Sequence, residues 1–292
     1  MRPIRSMLFI PANRASWIER SPTFGADAII LDLEDSVPVH DKEVARKNAA
    51  SMIASLANAG QRVYIRINRL KHIYDFDDIL AVTISGTEGI MLPKVSSLED
   101  IQLADALVGE AEFRHGLAPG SVVLAPVLET AGGVVKAYDI ASHPRVASLV
   151  AASAKNGDVA RSLGFQWTQE GLETIYMRSS SVAAARAAGK LAIGGLWQDV
   201  HDIAGLETWA KGNRQLGFHG ELALHPSNVA VINKVYTPSD EEYAYYSRMI
   251  AAFEEAEKEG RGALIFEGDH VDLAHVETAR SIIALYQEMN KK

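Results

Sequence analysis

Eight short apolar runs, nearly all separated by helix-length segments, constrain this chain more than any other feature. They cover residues 7–10, 28–33, 62–67, 89–92, 122–128, 146–151, 191–193 and 220–224. The run 122–128 is apolar throughout and shows no polar alternation, as expected of a strand covered on both faces. Alternating strands and helices imply right-handed crossovers and a parallel sheet. Eight such units are what a (β/α)8 TIM barrel requires. An open doubly wound sheet is the alternative, but no GxGxxG follows the first run.

Helices are expected over residues 14–20, 40–59, 75–84, 169–188 and 204–216. Ser96-Ser97-Leu98-Glu99 reads as a capping box that opens one more. No glycine-serine linker or low-complexity tract interrupts the first 236 residues, so 1–236 is expected to form the barrel domain. Residues 237–292 then form a C-terminal helical extension, with helices over 240–259 and 274–290 and a loop between, at 260–272. The apolar set of the last helix, Val276, Ile282, Ile283, Leu285 and Tyr286, needs a surface to cover.

The net charge of -8, from 29 basic and 37 acidic residues, gives no support to a nucleic-acid surface. The chain has no cysteine, which removes disulfides, thiolate metal sites and a thiol nucleophile. No stretch approaches the ~20 apolar residues of a membrane span, and the start of the chain is too short in apolar residues for a signal peptide. A cytoplasmic protein with no nucleic-acid or membrane partner is the expectation.

Polar residues collect at the carboxyl ends of the apolar runs: Asn13, Glu34 and Asp35, Arg66 and Asn68, Lys94, Glu129, Asp158 and His225. In barrels those ends share one face, which carries the active site. Glu129 and Asp158, after neighbouring strands, are hard-oxygen ligands suited to Mg²⁺. Each has an equally simple reading as an acid at a helix N-terminus. Arg66 is open to a strand-end salt bridge, and Lys94 to neutralising Glu34 or Asp35. His225, before Pro226, is open to a structural role, and Asp272 to capping the last helix.

The motifs resemble those of the citrate lyase β-subunit-like CoA-ester lyases of the HpcH/HpaI aldolase/citrate lyase superfamily. Arg5 to Asn13 is similar to the family's RSxLFxPGN. Leu31 to Pro38, with Lys42 and Ala45-Arg46, is similar to DLEDAVP…K…AR. Arg66-Ile67-Asn68 matches RxN, Leu92-Pro93-Lys94 matches LPK, and Leu128 to Ala131 matches IETA. Glu170 to Ser179 is similar to EGLELLYARS, and Leu224 to Ser227 to IHPxQ.

The resemblance implies a TIM barrel with a C-terminal extension, and cleavage or formation of a carbon–carbon bond between a CoA thioester and a 2-oxo acid. Substrates of malyl-, methylmalyl- or citramalyl-CoA type are implied. Glu129 and Asp158 would hold Mg²⁺. Arg66 would clamp the oxo acid and stabilise charge on oxygen. Phe9, Leu224 and His225 would line the thioester site, with Glu34, Asp35 and Lys94 behind the metal and substrate.

Asp272 would serve as the acid/base, reaching from the tail into a neighbouring subunit of a trimer or hexamer. A citrate lyase β subunit acting on an acyl-carrier-protein thioester, and a barrel that binds a CoA ester or organic acid without catalysis, are the alternatives. Four positions depart from the family pattern. Ala12 stands in place of glycine in PGN, and Lys155 in place of a glycine three residues before Asp158, where it would add a cation beside the metal. Gly194 replaces the aspartate of AID, and Ala274 the proline of MIDxP. The first three lie near the substrate pocket, so substrate choice is open to differ with the chemistry kept.

Overall fold

The computed structural model of the protein describes residues 3–290. The elements of the first part run β1 Ser6–Pro11, α1 Ala15–Arg20, β2 Ala28–Asp32, α2 Lys42–Asn58, β3 Arg62–Arg66, α3 Phe76–Val82, β4 Thr87–Leu92 and α4 Leu98–Arg114. They continue with β5 Val123–Leu128, α5 Ala131–Val135, α6 Ala137–Ala141, β6 Ser148–Ala151, α7 Asp158–Leu163, α8 Ile175–Ala187, β7 Leu191–Gly194, α9 Ile203–Leu216, β8 Gly220–Ala223 and α10 Pro226–Tyr236. The eight strands close a parallel barrel in sequence order, β8 pairing with β1. This is the (β/α)8 architecture expected from the alternation.

Burial explains why the strand runs lack polar alternation. Met7, Ala28, Ile30, Tyr64, Met91, Ala125, Val127, Val150, Ile193 and Leu222 form one cluster inside the barrel. The intervening Leu8, Ile29, Leu31, Ile65, Ile90 and Leu124 are equally buried. Both faces of each strand are therefore covered, one by the lumen and one by helices. Gly89 makes room in the lumen, since a Cβ there would overlap the Tyr64 ring at 2.6 Å.

Two expected elements differ. The helix expected over 169–188 begins only at Ile175, after a 3₁₀ turn at Leu172–Thr174. Gly171 sits in the left-handed region at φ 66°, and Thr168 N–H and Oγ1 donate to Glu173, so the chain loops back before the helix starts. The expected capping box does not form: Ser97, not Ser96, stands at the N-cap of α4 and its side chain caps no backbone N–H, while Asp100 accepts the Ser96 N–H at 2.8 Å.

The described residues divide into two compact units, 3–233 and 234–290. Within the second, α11 Asp240–Lys258 and α12 Leu273–Met289 flank two strands, β9 Ala263–Phe266 and β10 Asp269–Asp272. The expected loop at 260–272 is thus an antiparallel hairpin, with Asp269 paired to Phe266 and Asp272 to Ala263. Its two-residue turn, Glu267 at φ 47° and Gly268 at φ 100°, has the doubly left-handed backbone that suits a twisted hairpin. Met249, Phe253, Val271, Val276 and Ala279 form its core. Among the described residues, no helix is long and apolar enough to cross a membrane.

Candidate active site

The strand ends of the barrel bring together most of the residues singled out from the sequence. Arg66 ends β3 and is the register partner of Asp32 at the end of β2. Its Nε and one terminal nitrogen each donate to Asp32 at 2.7 Å. The other terminal nitrogen lies 3.3 Å from Glu34 Oε2, and the guanidinium carbon sits 4.7 Å from the centre of the Phe9 ring. Arg66 therefore does make the strand-end salt bridge, and it does so at the mouth of the barrel.

Asp32 is fully buried. Burial pushes its carboxyl up, but the two Arg66 hydrogen bonds, the Arg66 charge, Ser36 Oγ and the Glu34 N–H outweigh burial and hold it below the ordinary carboxylate range. Sequence reasoning passed over Asp32. The available signal was its place as the last residue of a buried run, level with the Arg that ends the next one.

Lys94 connects the rest. It follows β4 with φ 55°, a left-handed conformation that costs a non-glycine residue about 1–2 kcal/mol. In that conformation its backbone N–H donates to Glu129 Oε1 at 2.7 Å. Its ammonium pairs with Glu34, and lies 3.7 Å from Asp35 and 3.5 Å from Asp158 Oδ2. The neutralising role read for Lys94 is what the geometry displays, extended to Asp158. Glu34 is buried, and that raises its carboxyl pKa despite Arg66 and Lys94. Asp35 is largely exposed. Lys42 fixes this turn by donating to the carbonyls of Leu33 and Glu34 and to Asn68 Oδ1.

Glu129 does not cap a helix. Thr130 takes that position for α5 and accepts the Gly133 N–H at 2.9 Å. Glu129 is left buried behind the barrel mouth, where burial, reinforced by the Glu34 charge, pushes its carboxyl up to about 7. Asp158 is the first residue of the six-residue α7 and pairs with Arg161, a partner the sequence reading missed. Lys155 turns elsewhere: its ammonium lies 5.8 Å over the Trp167 ring. The cations paired with Asp158 are Lys94 and Arg161.

Among the described residues, no group of three or more His, Cys, Asp or Glu is gathered to hold a metal. What the barrel mouth offers is two carboxylates, Glu129 and Asp158, both against Lys94. That set fits Mg²⁺, which is often bound through one or two carboxylates and keeps its other positions for water and substrate. The raised carboxyl of Glu129 points the same way, because a buried anion short of compensation is what a cation relieves.

A cavity of about 580 Å³ opens beside this cluster. Phe9, Arg66, Leu224 and His225 all line it, with Leu8, Ile10, Pro11, Trp17, Phe24, Leu196 and Pro226 making most of the wall apolar. Asp32, Ser36 and Arg20 add polar groups. His225 Nδ1 lies 2.7 Å from Ser227 Oγ and 3.2 Å from the Ser227 N–H. Two donors on Nδ1 leave the neutral ring's proton on Nε2. Of the departures noted above, Ala12 is fully buried. A Cβ at Gly194 would collide with the buried Glu221 carboxylate, which accepts from Asn213 Nδ2 at 2.7 Å. The space beside residue 194 is thus filled by an acid from β8.

Asp272 belongs to the second unit. It ends β10 and caps α12, with its side chain bonded to the Ala274 and His275 N–H groups and to the His275 ring.

Residues 5–226 match the family described as HpcH/HpaI aldolase/citrate lyase. The chain is 33% identical over 283 residues to a protein of Cereibacter sphaeroides named (3S)-malyl-CoA thioesterase, covering 97% of this chain and 94% of that protein. It is also 33% identical over 303 residues to the L-malyl-CoA/beta-methylmalyl-CoA lyase of the same organism, again covering 97% and 94%. Among solved structures it is similar to CitE from Mycobacterium tuberculosis in complex with magnesium, acetoacetate and coenzyme A. The TM-score there is 0.74 at 28% identity, over 98% of this chain and 100% of that one. The chain belongs to the HpcH/HpaI aldolase/citrate lyase family and is an enzyme of the carbon–carbon lyase kind.

Proposed function

We propose that this enzyme is a Mg²⁺-dependent lyase that splits a 3-hydroxyacyl-CoA ester of malyl, methylmalyl or citramalyl type into acetyl- or propionyl-CoA and a 2-oxo acid. One observation carries the reading: Arg66 stands where the carboxylate cluster of Glu34 and Glu129 meets the apolar cavity lined by Phe9 and Leu224. One substrate needs both environments, an anionic oxo-acid end and a thioester end.

Glu129 and Asp158 would hold Mg²⁺, which supplies Lewis acidity for the oxygens of the oxo acid. Two N–H groups of Arg66 are committed to Asp32, so its guanidinium plane is fixed in direction and its remaining donors serve the substrate oxygen as charge develops there. In cleavage the 3-hydroxyl gives its proton to solvent water, the carbon–carbon bond breaks to leave the oxo-acid carbonyl, and the thioester enolate takes up a proton. Asp272 of an adjacent copy is the acid/base for that proton, which requires a homo-oligomer, trimeric or hexameric.

Thioester hydrolysis is a second reading, favoured by the relative named malyl-CoA thioesterase. One experiment separates them. The enzyme is incubated with Mg²⁺ and a panel of hydroxyacyl-CoA esters, and both oxo acid and free CoA are measured. Oxo acid released together with acyl-CoA is expected. Free CoA without oxo acid would replace the lyase reading by hydrolysis.

A further inference from the structure

The end of the tail hairpin carries an unusual cap. In an ordinary capping box the third helical residue is Glu or Gln, and its side chain accepts the N–H of the cap residue. Here that residue is His275, and its ring meets the cap in a different way. His275 Nδ1 is 2.7 Å from Asp272 Oδ1 and 3.3 Å from the Asp272 N–H.

One ring nitrogen cannot accept from the N–H and donate to the carboxylate at once. The shorter contact decides. At 2.7 Å two lone pairs would repel, so a proton lies between Nδ1 and Oδ1, and the imidazole donates to the carboxylate. Oδ1 also accepts the Ala274 N–H at 3.0 Å and the His275 N–H at 3.5 Å. Among the described residues, the hydrogen bonds of the Asp272 carboxylate thus all fall on Oδ1 and none on Oδ2. The hairpin register, Asp272 opposite Ala263, and the buried Val271 beside it hold the backbone of the pair in place.

We propose that His275 is a positioning residue for Asp272: it anchors Oδ1, so that Oδ2 faces the substrate as the base. This rests on the reading of Asp272 as the acid/base. In the condensation direction Asp272 takes the α-proton of the acyl-CoA and becomes a carboxylic acid. The enolate carbon forms the bond to the oxo-acid carbonyl carbon, and that oxygen takes a proton from solvent water to end as the hydroxyl. In cleavage the same proton returns from Asp272 to the enolate carbon. An N–H donor on Oδ1 favours the ionised form of Asp272, and its carboxyl does lie below the ordinary range with His275 as the first cause.

The surroundings supply few competing charges. Tyr245 and Tyr246 of α11 and Asp269 and His270 of β10 line the same cavity, of about 560 Å³, with His275. The His270 ring is 6.4 Å from that of His275. Arg248 of α11 is engaged by Glu267, and Arg280 of α12 by Glu277 and Glu254. β9, opposite β10, contributes Ala263, Leu264, Ile265 and Phe266, none of them titratable.

The test compares two substitutions with the wild type in the full-length enzyme, following kcat for the condensation of acyl-CoA with the 2-oxo acid against pH from 4 to 9 with Mg²⁺. His275→Glu keeps an ordinary capping box, and so the helix, but puts an anion in place of the donor. Its acid limb is expected to move up by about one pH unit, so that kcat on the acid side of the limb falls up to ~10-fold below the wild type. His275→Gln offers an N–H to Oδ1 without titrating, and is expected to stay within about threefold of wild type with the limb near its wild-type position. Far-UV circular dichroism and thermal melting check that both variants fold. A wild-type profile for His275→Glu overturns the proposal, and so does an equal shift in both variants. Asp272→Asn is run alongside. If it turns over normally, the acid/base reading of Asp272 fails and this inference fails with it. If it is inactive while His275→Glu is normal, only the role of His275 is lost.

Discussion

The backbone N–H of Lys94 donates to Glu129 Oε1 at 2.7 Å, and Lys94 reaches that position with φ 55°. The same residue sends its ammonium the other way, to Glu34 and Asp158. One strained residue after β4 therefore orients the acid that follows β5 and balances the acids after β2 and β6. Strain of about 1–2 kcal/mol is tolerated at functional sites when surrounding contacts hold it in place, as these do here.

If Glu129 and Asp158 hold Mg²⁺, losing either charge weakens a site that has few other protein ligands. Glu129→Gln and Asp158→Asn are each expected to lower Mg²⁺ affinity at least ~10-fold by titration calorimetry at pH 8, with the far-UV spectrum unchanged. Retention of wild-type affinity by either variant would remove that residue from the metal site.

Arg66→Lys keeps the charge and loses the fork. Turnover is expected to fall at least ~10²-fold, the size of effect seen when one oxyanion donor is removed. The variant also weakens the grip on buried Asp32, so a lower urea midpoint should accompany it; truncating a partner of such a pair altogether costs about 3–5 kcal/mol. A turnover loss of only two- or threefold, with the midpoint lowered, would return Arg66 to a purely structural role.

His219 predicts a pH dependence of stability. Its Nδ1 accepts the Ala192 N–H at 2.9 Å, and burial, helped by Arg186, pushes the ring down from 6.5 to about 4. Between those values the unfolded chain binds a proton that the folded chain refuses. Stability from this residue is therefore complete above about 6.5 and is lost as the pH falls toward about 4, by at most ~3 kcal/mol. His219→Asn can accept the same N–H without titrating. Urea unfolding free energies of the two proteins should converge as the pH drops from 7 to 4.5, and a constant difference would refute the assignment.

A site shared between copies can be tested by mixing. Asp272→Ala and Arg66→Ala subunits should each be inactive alone. After exchange they should regain part of the activity, because some mixed interfaces pair an intact barrel with an intact tail. Asp272→Ala should bind Mg²⁺ as the wild type does. A monomer by sedimentation, or no rescue despite demonstrated exchange, would rule the shared site out.

The barrel was legible in the sequence because run length and burial pattern are local properties. Ala28 to Leu31 is apolar on both sides whatever it pairs with, and eight such runs between helices leave few ways to cover every strand. Glu129 and Asp158 could be placed at strand ends for the same reason. What each charge does there was not legible. Arg66 and Asp32 are 34 residues apart, Lys94 and Glu129 35, and Lys94 and Glu34 60. Their pairing depends on strand register, on a left-handed turn at Lys94, and on Thr130 rather than Glu129 capping α5.

The same holds at residue 155, where a lysine expected beside a metal stacks on Trp167 instead, and in the tail, where 260–272 folds as a hairpin. Its two short runs around Glu267-Gly268 carry the period of strands, but Ile265 is exposed, and only packing against Met249 and Val276 selects the buried face. The sequence by itself determined which segments must be buried and hence the closed barrel. Only the tertiary structure decided which carboxylate meets which cation, because those contacts are made between strand ends brought together by closure of the sheet.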